Sequence, residues 1–234
     1  MLEAELQGSS IRLIEFGNIQ SAGQHCSRIP AHLVTTAILF EVLKVDRLGK
    51  KYSGRWIFRG LTFELGRGDR LVILGRNGSG KSTLLRTIAG LTEKTEGTVQ
   101  LPEGDPRHTL GLCALEQSVY AQLTVEEHLE LTADLRGCPA RIDELLDKID
   151  LKYARAYKAG HLSTGMKARL KLAMAIQANP MALLLDEPGA GLDEEGRELV
   201  SKISAEQADR GCLIVATNDP LERRLANLEL QLAN

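Results

Sequence analysis

The sequence predicts an α/β fold: a parallel sheet covered by helices, with a helical insert of about 60 residues. Two observations carry this. Short apolar runs at 70–74 (RLVIL), 181–185 (MALLL) and 213–217 (LIVAT) lack polar alternation, as expected of strands buried on both faces. Segments of helical period stand between those runs, and strand–helix–strand alternation of this kind builds parallel sheets.

Taken along the chain, residues 1–37 are weakly patterned. Gly8, Gly17 and Gly23 break any period and Pro30 follows. This stretch reads as a loosely docked extension, or as translation from a start upstream of the true one, and no function is assigned to it. Pattern begins near Leu39, with Phe40, Val42 and Leu43 opening a strand. A second strand covers 56–65, where Leu61, Phe63 and Leu65 alternate. After the 70–74 run come glycines and then a helix over 82–89, stopped by Gly90. Thr98, Val99, Gln100 and Leu101 suggest another strand.

The middle of the chain is helical. Thr124 and Glu127 form a capping box, followed by Val125, Leu129 and Ala133 at four-residue spacing. Ile142, Leu145, Leu146 and Ile149 give a second amphipathic stripe. Residues 123–150 carry eight acidic and three basic side chains, read as a solvated helix face. Leu199 and Ile203 mark one more helix before the 213–217 run.

Composition narrows the class. The chain has 234 residues, of which 43% are apolar, too many for disorder and enough for one or two packed domains. With 29 basic and 31 acidic residues, the net charge of −2 argues against a general nucleic-acid binder. The longest apolar stretch, 33–43, has about 11 residues and includes Thr35, Thr36 and Glu41, whereas a membrane-spanning helix needs about 20. Glu3 and Glu5, with no basic residue before Arg12, do not make a secretory signal. Cys26, Cys113, Cys138 and Cys212 are scattered and read as reduced thiols of a cytoplasmic protein.

Gly75, Arg76, Asn77, Gly78, Ser79, Gly80, Lys81 and Ser82 match the phosphate-loop pattern G-x-x-x-x-G-K-S, between a buried strand and a helix. Glycines let backbone N–H groups close around an anion, and the helix N-terminus adds its positive dipole end. Lys81 can reach the β- and γ-phosphates, and the Ser82 hydroxyl can bind Mg²⁺. The 181–185 run delivers Asp186 to the carboxyl end of a strand, where open α/β sheets bind ligands. Asp186 is a second Mg²⁺ ligand, and Glu187 stands next to it to orient and deprotonate water.

These motifs and the stretch between them resemble the ATP-binding cassette (ABC) ATPases over about residues 38–234. The most specific element is Leu162-Ser163-Thr164-Gly165-Met166, which resembles the family signature LSGGQ and precedes a helix over 167–178. Thr164 and Met166 depart from the family Gly and Gln, a form similar to that of ABC-2 type exporters. The resemblance implies a P-loop NTPase (RecA-like) core with a parallel sheet, an antiparallel β subdomain and a helical subdomain at about 118–178. Ser163 and Gly165 are implied to meet the γ-phosphate bound by a second copy, so that complete sites form in a head-to-tail homodimer.

Singly, Tyr52 looks like the aromatic that stacks on adenine, and Thr83 completes the phosphate cradle. Gln117 resembles the glutamine-loop residue that senses Mg²⁺ and the γ-phosphate. Gly191-Leu192-Asp193 resembles the loop that crosses the dimer interface, although Asp193 also suits a helix cap. Asn218 stands where the family has His. An amide can donate to the γ-phosphate but cannot become charged. The implied function is ATP hydrolysis, with Glu187, Lys81, Asn218 and Gln117 in the catalytic set. The reading is an exporter subunit, similar to ABC-2 type exporters or to the haem exporter of cytochrome c maturation, that uses ATP and Mg²⁺ and works peripherally on the inner face of the membrane through separate transmembrane permease subunits. No nucleic acid is expected as partner; the alternative is a soluble ABC ATPase acting on ribosomes or DNA.

Overall fold

The computed structural model describes residues 3–4, 11–12 and 41–232. Most of the 1–37 segment, including Cys26, and the expected strand residues Leu39 and Phe40 lie outside the described residues. Within the segment, β1 (Glu3–Ala4) pairs antiparallel with β2 (Ile11–Arg12). The chain then forms a long antiparallel hairpin from β3 (Glu41–Tyr52) and β4 (Arg55–Gly66). Its two-residue turn is Ser53-Gly54, and both residues take left-handed φ values of 45° and 87°, matching the right-handed twist of the paired strands.

The next elements carry the phosphate loop. They are β5 (Arg70–Leu74) and α1 (Lys81–Ile88). β6 (Glu96–Gln100) returns to pair with β3, giving a three-stranded antiparallel sheet in the order β4-β3-β6. A single helical turn, α2 (Pro106–Thr109), leads into β7 (Leu110–Cys113). The helical subdomain follows as α3 (Val125–Arg136), α4 (Ile142–Lys148) and α5 (Thr164–Ile176). The expected capping box opens α3: Thr124 Oγ1 accepts from the Glu127 amide at 3.1 Å, and Glu127 Oε2 accepts from the Thr124 amide at 2.7 Å. Last come β8 (Ala182–Asp186), α6 (Glu194–Ala208), β9 (Cys212–Thr217) and β10 (Leu228–Gln231).

The main sheet is parallel throughout, in the order β10-β5-β9-β8-β7. Strand alternation sorts its core into two layers. Ala182, Leu184, Cys212, Ile214 and Ala216 face α1 and the β3–β4 hairpin. Leu183, Leu185, Leu213 and Val215 face the helical side, with Leu129, Leu145, Leu170 and Leu199. The apolar runs thus lie buried on both faces, as their lack of alternation predicts. Cys113 and Cys212 are buried free thiols whose pKa burial pushes up to about 12, so they behave as small hydrophobes.

Gly111 in β7 sets how closely the sheet meets the signature helix α5. A Cβ there would press on the Ala175 carbonyl, 2.8 Å from Pro180 Cγ and 2.9 Å from Leu183 Cδ1. Gly111→Ala is therefore expected to destabilise the fold by about 1–3 kcal/mol through overpacking. A lowered urea midpoint with an unchanged m-value is the measurement that checks it.

Candidate active site

Three strand ends build the site. In register, Leu74 of β5 lies beside Thr217 of β9, and Ala216 beside Asp186 of β8. The phosphate loop, the paired acids and Asn218 therefore emerge at one level from the carboxyl edge of the sheet. Gly78 and Gly80 take φ of 80° and 98°, which only glycine adopts freely, and this lets the loop fold back on itself. Space is tight at Gly75, where a Cβ would strike the Ser79 hydroxyl and lie 3.0 Å from the Leu232 carbonyl.

Lys81 is 6% exposed. Its ammonium donates to the Gly75 carbonyl at 2.8 Å and stands 3.6 Å from Glu187 Oε1. Glu187 holds a left-handed φ of 49° immediately after β8. That conformation costs a non-glycine residue about 1–2 kcal/mol, and here the Glu187 amide is held by the Ala216 carbonyl at 2.8 Å. Its other carboxylate oxygen accepts from the Thr217 hydroxyl at 3.3 Å and the Asn218 amide N–H at 3.4 Å. The carboxylate is thus fixed between the phosphate loop and the end of β9.

Asp186 is buried beneath this pair. Burial pushes its pKa up and the neighbouring Glu187 adds to that, while a hydrogen bond from Ser82 and the charges of Arg86 and Lys81 oppose it. Oδ1 of Asp186 and Oε1 of Gln117 are both sealed and without a hydrogen-bond partner, and both residues line one cleft of about 380 Å³. A hydroxyl, a carboxylate and an amide oxygen are hard donors that fit Mg²⁺, which takes few protein ligands and fills its shell with phosphate and water. No cluster of three His, Cys, Asp or Glu occurs among the described residues.

A second, open cleft of about 510 Å³ is lined by Tyr52, Ile57, Asn77, Gly78, Gly80, Lys81, Ser82, Thr83, Glu187 and Asn218. Tyr52 is half exposed, with Lys50 Nζ 4.5 Å from its ring centroid. Arg76 is exposed beside the cleft, not on its wall. Asn218 turns its side-chain amide to Asn77 Oδ1 at 2.8 Å, across the lip of the phosphate loop. Ser163 and Gly165 are not part of this cleft. Ser163 is exposed and caps α5 by accepting from the Met166 amide at 3.1 Å. Asp193 caps α6 by accepting from the Gly196 amide, and also takes a hydrogen bond from Arg169 of the signature helix at 3.0 Å.

Thr217, Leu115 and Ile57 belong to the site but carry no motif of their own. Thr217 is read from sequence only as a strand residue, and nothing in its type points to the Glu187 carboxylate.

Comparison with known proteins identifies the family. The ABC transporter family model matches residues 58–190. The cytochrome c biogenesis ATP-binding export protein CcmA of Mesorhizobium japonicum is 35% identical over 201 residues, covering 82% of this chain and 98% of that protein. The ABC-type organic anion transporter ABCA8B of Mus musculus is 38% identical over 194 residues, but the chain spans only 12% of its length. Among solved structures, an ATP-binding subunit of an ABC transporter superposes with a TM-score of 0.75 at 26% identity, covering 82% of this chain and 85% of that one.

Lys81→Ala is expected to reduce ATP affinity at least 10-fold, because it removes the buried cation that lines this cleft among the described residues; isothermal titration with ATP checks it. Glu187→Gln should bind ATP but hydrolyse it ~10²–10⁴ times more slowly, as loss of a general base does, and single-turnover hydrolysis measures this. The cradle around Lys81, the paired acids and the family match converge: this chain belongs to the ABC transporter family, as an ATP-binding cassette with ATPase chemistry.

Proposed function

We propose that this cassette drives export through separate membrane subunits and that it does so as a homodimer on the inner face of the membrane. The observation that carries the dimer is the separation of its parts. Within one chain Ser163 and Gly165 lie outside the open cleft of Lys81, while Thr164 between them lines the neighbouring cleft with Asp186 and Glu187. The exposed start of α5 offers free N–H groups to an anion, and a second copy can bring that end to the open cleft. A dimeric ATP-binding cassette with bound ADP and Pi shares the fold, with a TM-score of 0.74.

Export and a separate membrane partner are supported by the nearly full-length likeness to export proteins of cytochrome c biogenesis. No helix among the described residues is long and apolar enough to cross a membrane. The helical subdomain and the Gln117 loop expose Leu115, Tyr120, Tyr153 and Tyr157, apolar surface suited to a membrane subunit.

In this reading the residues divide the work. Tyr52 stacks on adenine. The phosphate-loop amides and Lys81 hold the β- and γ-phosphates. Ser82, Asp186 and Gln117 would hold Mg²⁺, which supplies charge neutralisation at the phosphates. Glu187 orients the attacking water and takes its proton. Asn218 leaves Asn77 and donates its amide to the γ-phosphate.

Two tests follow from the dimer and from Asn218. With ATP, Glu187→Gln is expected to double in mass by light scattering, and adding Ser163→Arg should return it to a monomer. An ATP-independent monomer in the Glu187→Gln background contradicts the assembly, and co-purification with a membrane subunit tests the transport role. Asn218→Ala should lower hydrolysis about 10-fold by removing one donor to the transferring group. Asn218→His should bring a new pH dependence between about pH 6 and 8, where imidazole titrates and amide does not. Steady-state ATPase profiles of the three proteins check both.

A further inference from the structure

Behind Glu187 lies a second glutamate. Glu222 sits in the short 3-10 turn after β9 and is 9% exposed. Its Oε1 accepts from the Gly189 amide at 2.6 Å, in the segment that follows Glu187. Its Oε2 is sealed from solvent and has no hydrogen-bond partner. Nearby, at the end of β9, the Thr217 hydroxyl bonds Glu187 Oε2 at 3.3 Å. Glu222 itself follows β9, so its bond to the Gly189 amide ties the turn after β8 to the segment that leaves β9.

Gly189 and Glu222 pack closely. A Cβ on Gly189 would strike Glu222 Oε1. Gly189 is not in the left-handed region, so the side chain of Glu222, not the backbone conformation, is what calls for glycine here. Burial pushes the Glu222 pKa up, and the nearby Glu187 and Asp219 charges add to this, while the Thr217 hydroxyl and Gly189 amide pull it down. A buried carboxyl beside two other acids costs free energy that its hydrogen bond from Gly189 offsets only in part.

We propose that Glu222 is a positioning residue for hydrolysis: it locks the Gly189 turn to the end of β9 and so fixes the reach of Glu187 toward the attacking water. This rests on Glu187 being the base. Glu222 touches neither the phosphate loop nor the nucleotide cleft, so its effect falls on turnover and not on ATP binding.

The test uses the purified chain and measures ATP hydrolysis and ATP affinity for Glu222→Ala, Glu222→Gln, Gly189→Ala and the Gly189→Ala/Glu222→Ala double variant, with Glu187→Gln alongside. Small displacements of a catalytic group cost one to two orders of magnitude in rate. Glu222→Ala is expected to lower kcat about 10-fold or more, with KM for ATP within about 3-fold. Glu222→Gln keeps an acceptor for the Gly189 amide and should recover most of the rate. Gly189→Ala should lower kcat like Glu222→Ala, and the double variant should be no worse than Glu222→Ala alone, because removing the carboxyl makes room for the new methyl.

A kcat within 2-fold of the parent in Glu222→Ala overturns the proposal, as does a parallel loss of kcat and ATP affinity. If Glu222→Ala does not fold, Glu222→Gln and Gly189→Ala decide: full activity in Gly189→Ala overturns it. If Glu187→Gln itself hydrolyses ATP normally, the base assignment fails instead, and the two failures are told apart.

Discussion

The site depends on three parallel strands ending together. Because β5, β9 and β8 are paired in register, Leu74, Thr217 and Asp186 finish at one edge. The phosphate loop, the paired acids and Asn218 need no long-range loop to meet. Their placement is set by the buried faces of Ile73, Ile214 and Leu184, each fully enclosed. A slip of one residue in any of these strands would exchange its two buried faces and separate Lys81 from Glu187.

Within that frame, charge explains why the cleft stays ordered. Lys81 is buried with carbonyl oxygens and Glu187 around it, and Glu187 in turn is held by Thr217 and Asn218. Asp186 lies below with one oxygen unpartnered and a pKa raised by burial. The ion pair compensates for a desolvated ammonium, and phosphate is a stronger partner for the same cation. In the proposed reading, nucleotide would exchange one set of electrostatic contacts for another without creating the site anew. Arg169 extends the same logic outward by tying the signature helix to Asp193 at the head of α6.

Much of this was legible in the sequence, for stated physical reasons. A phosphate cradle demands glycines and a lysine at fixed spacing, and buried parallel strands demand unbroken apolar runs, so β5, β8, β9 and residues 75–82 could be read directly. The capping residues Thr124, Ser163 and Asp193 could be read as well, since a cap is local chemistry. β7 and β10 could not. β7 is four residues long and contains Gly111, and β10 carries Glu229 and Gln231 within a short run. Thr217 and Glu222 act through tertiary contacts with Glu187 and Gly189, so no spacing in the chain announces them. The amide of Asn218 is legible as a donor, but its bond to Asn77 emerges only when β9 and the phosphate loop are side by side.

The central claim is that Lys81 and Glu187 are held as a pair that nucleotide separates. A crystal structure of the unmutated chain with Mg²⁺ and a non-hydrolysable ATP analogue tests it most directly. The account predicts that Lys81 Nζ leaves Glu187 Oε1, now 3.6 Å away, for phosphate oxygens, while Glu187 keeps its Thr217 contact and Ser82 and Asp186 gather at the metal. An analogue bound with the Lys81–Glu187 pair intact, or with its phosphates outside the 75–82 loop, contradicts it.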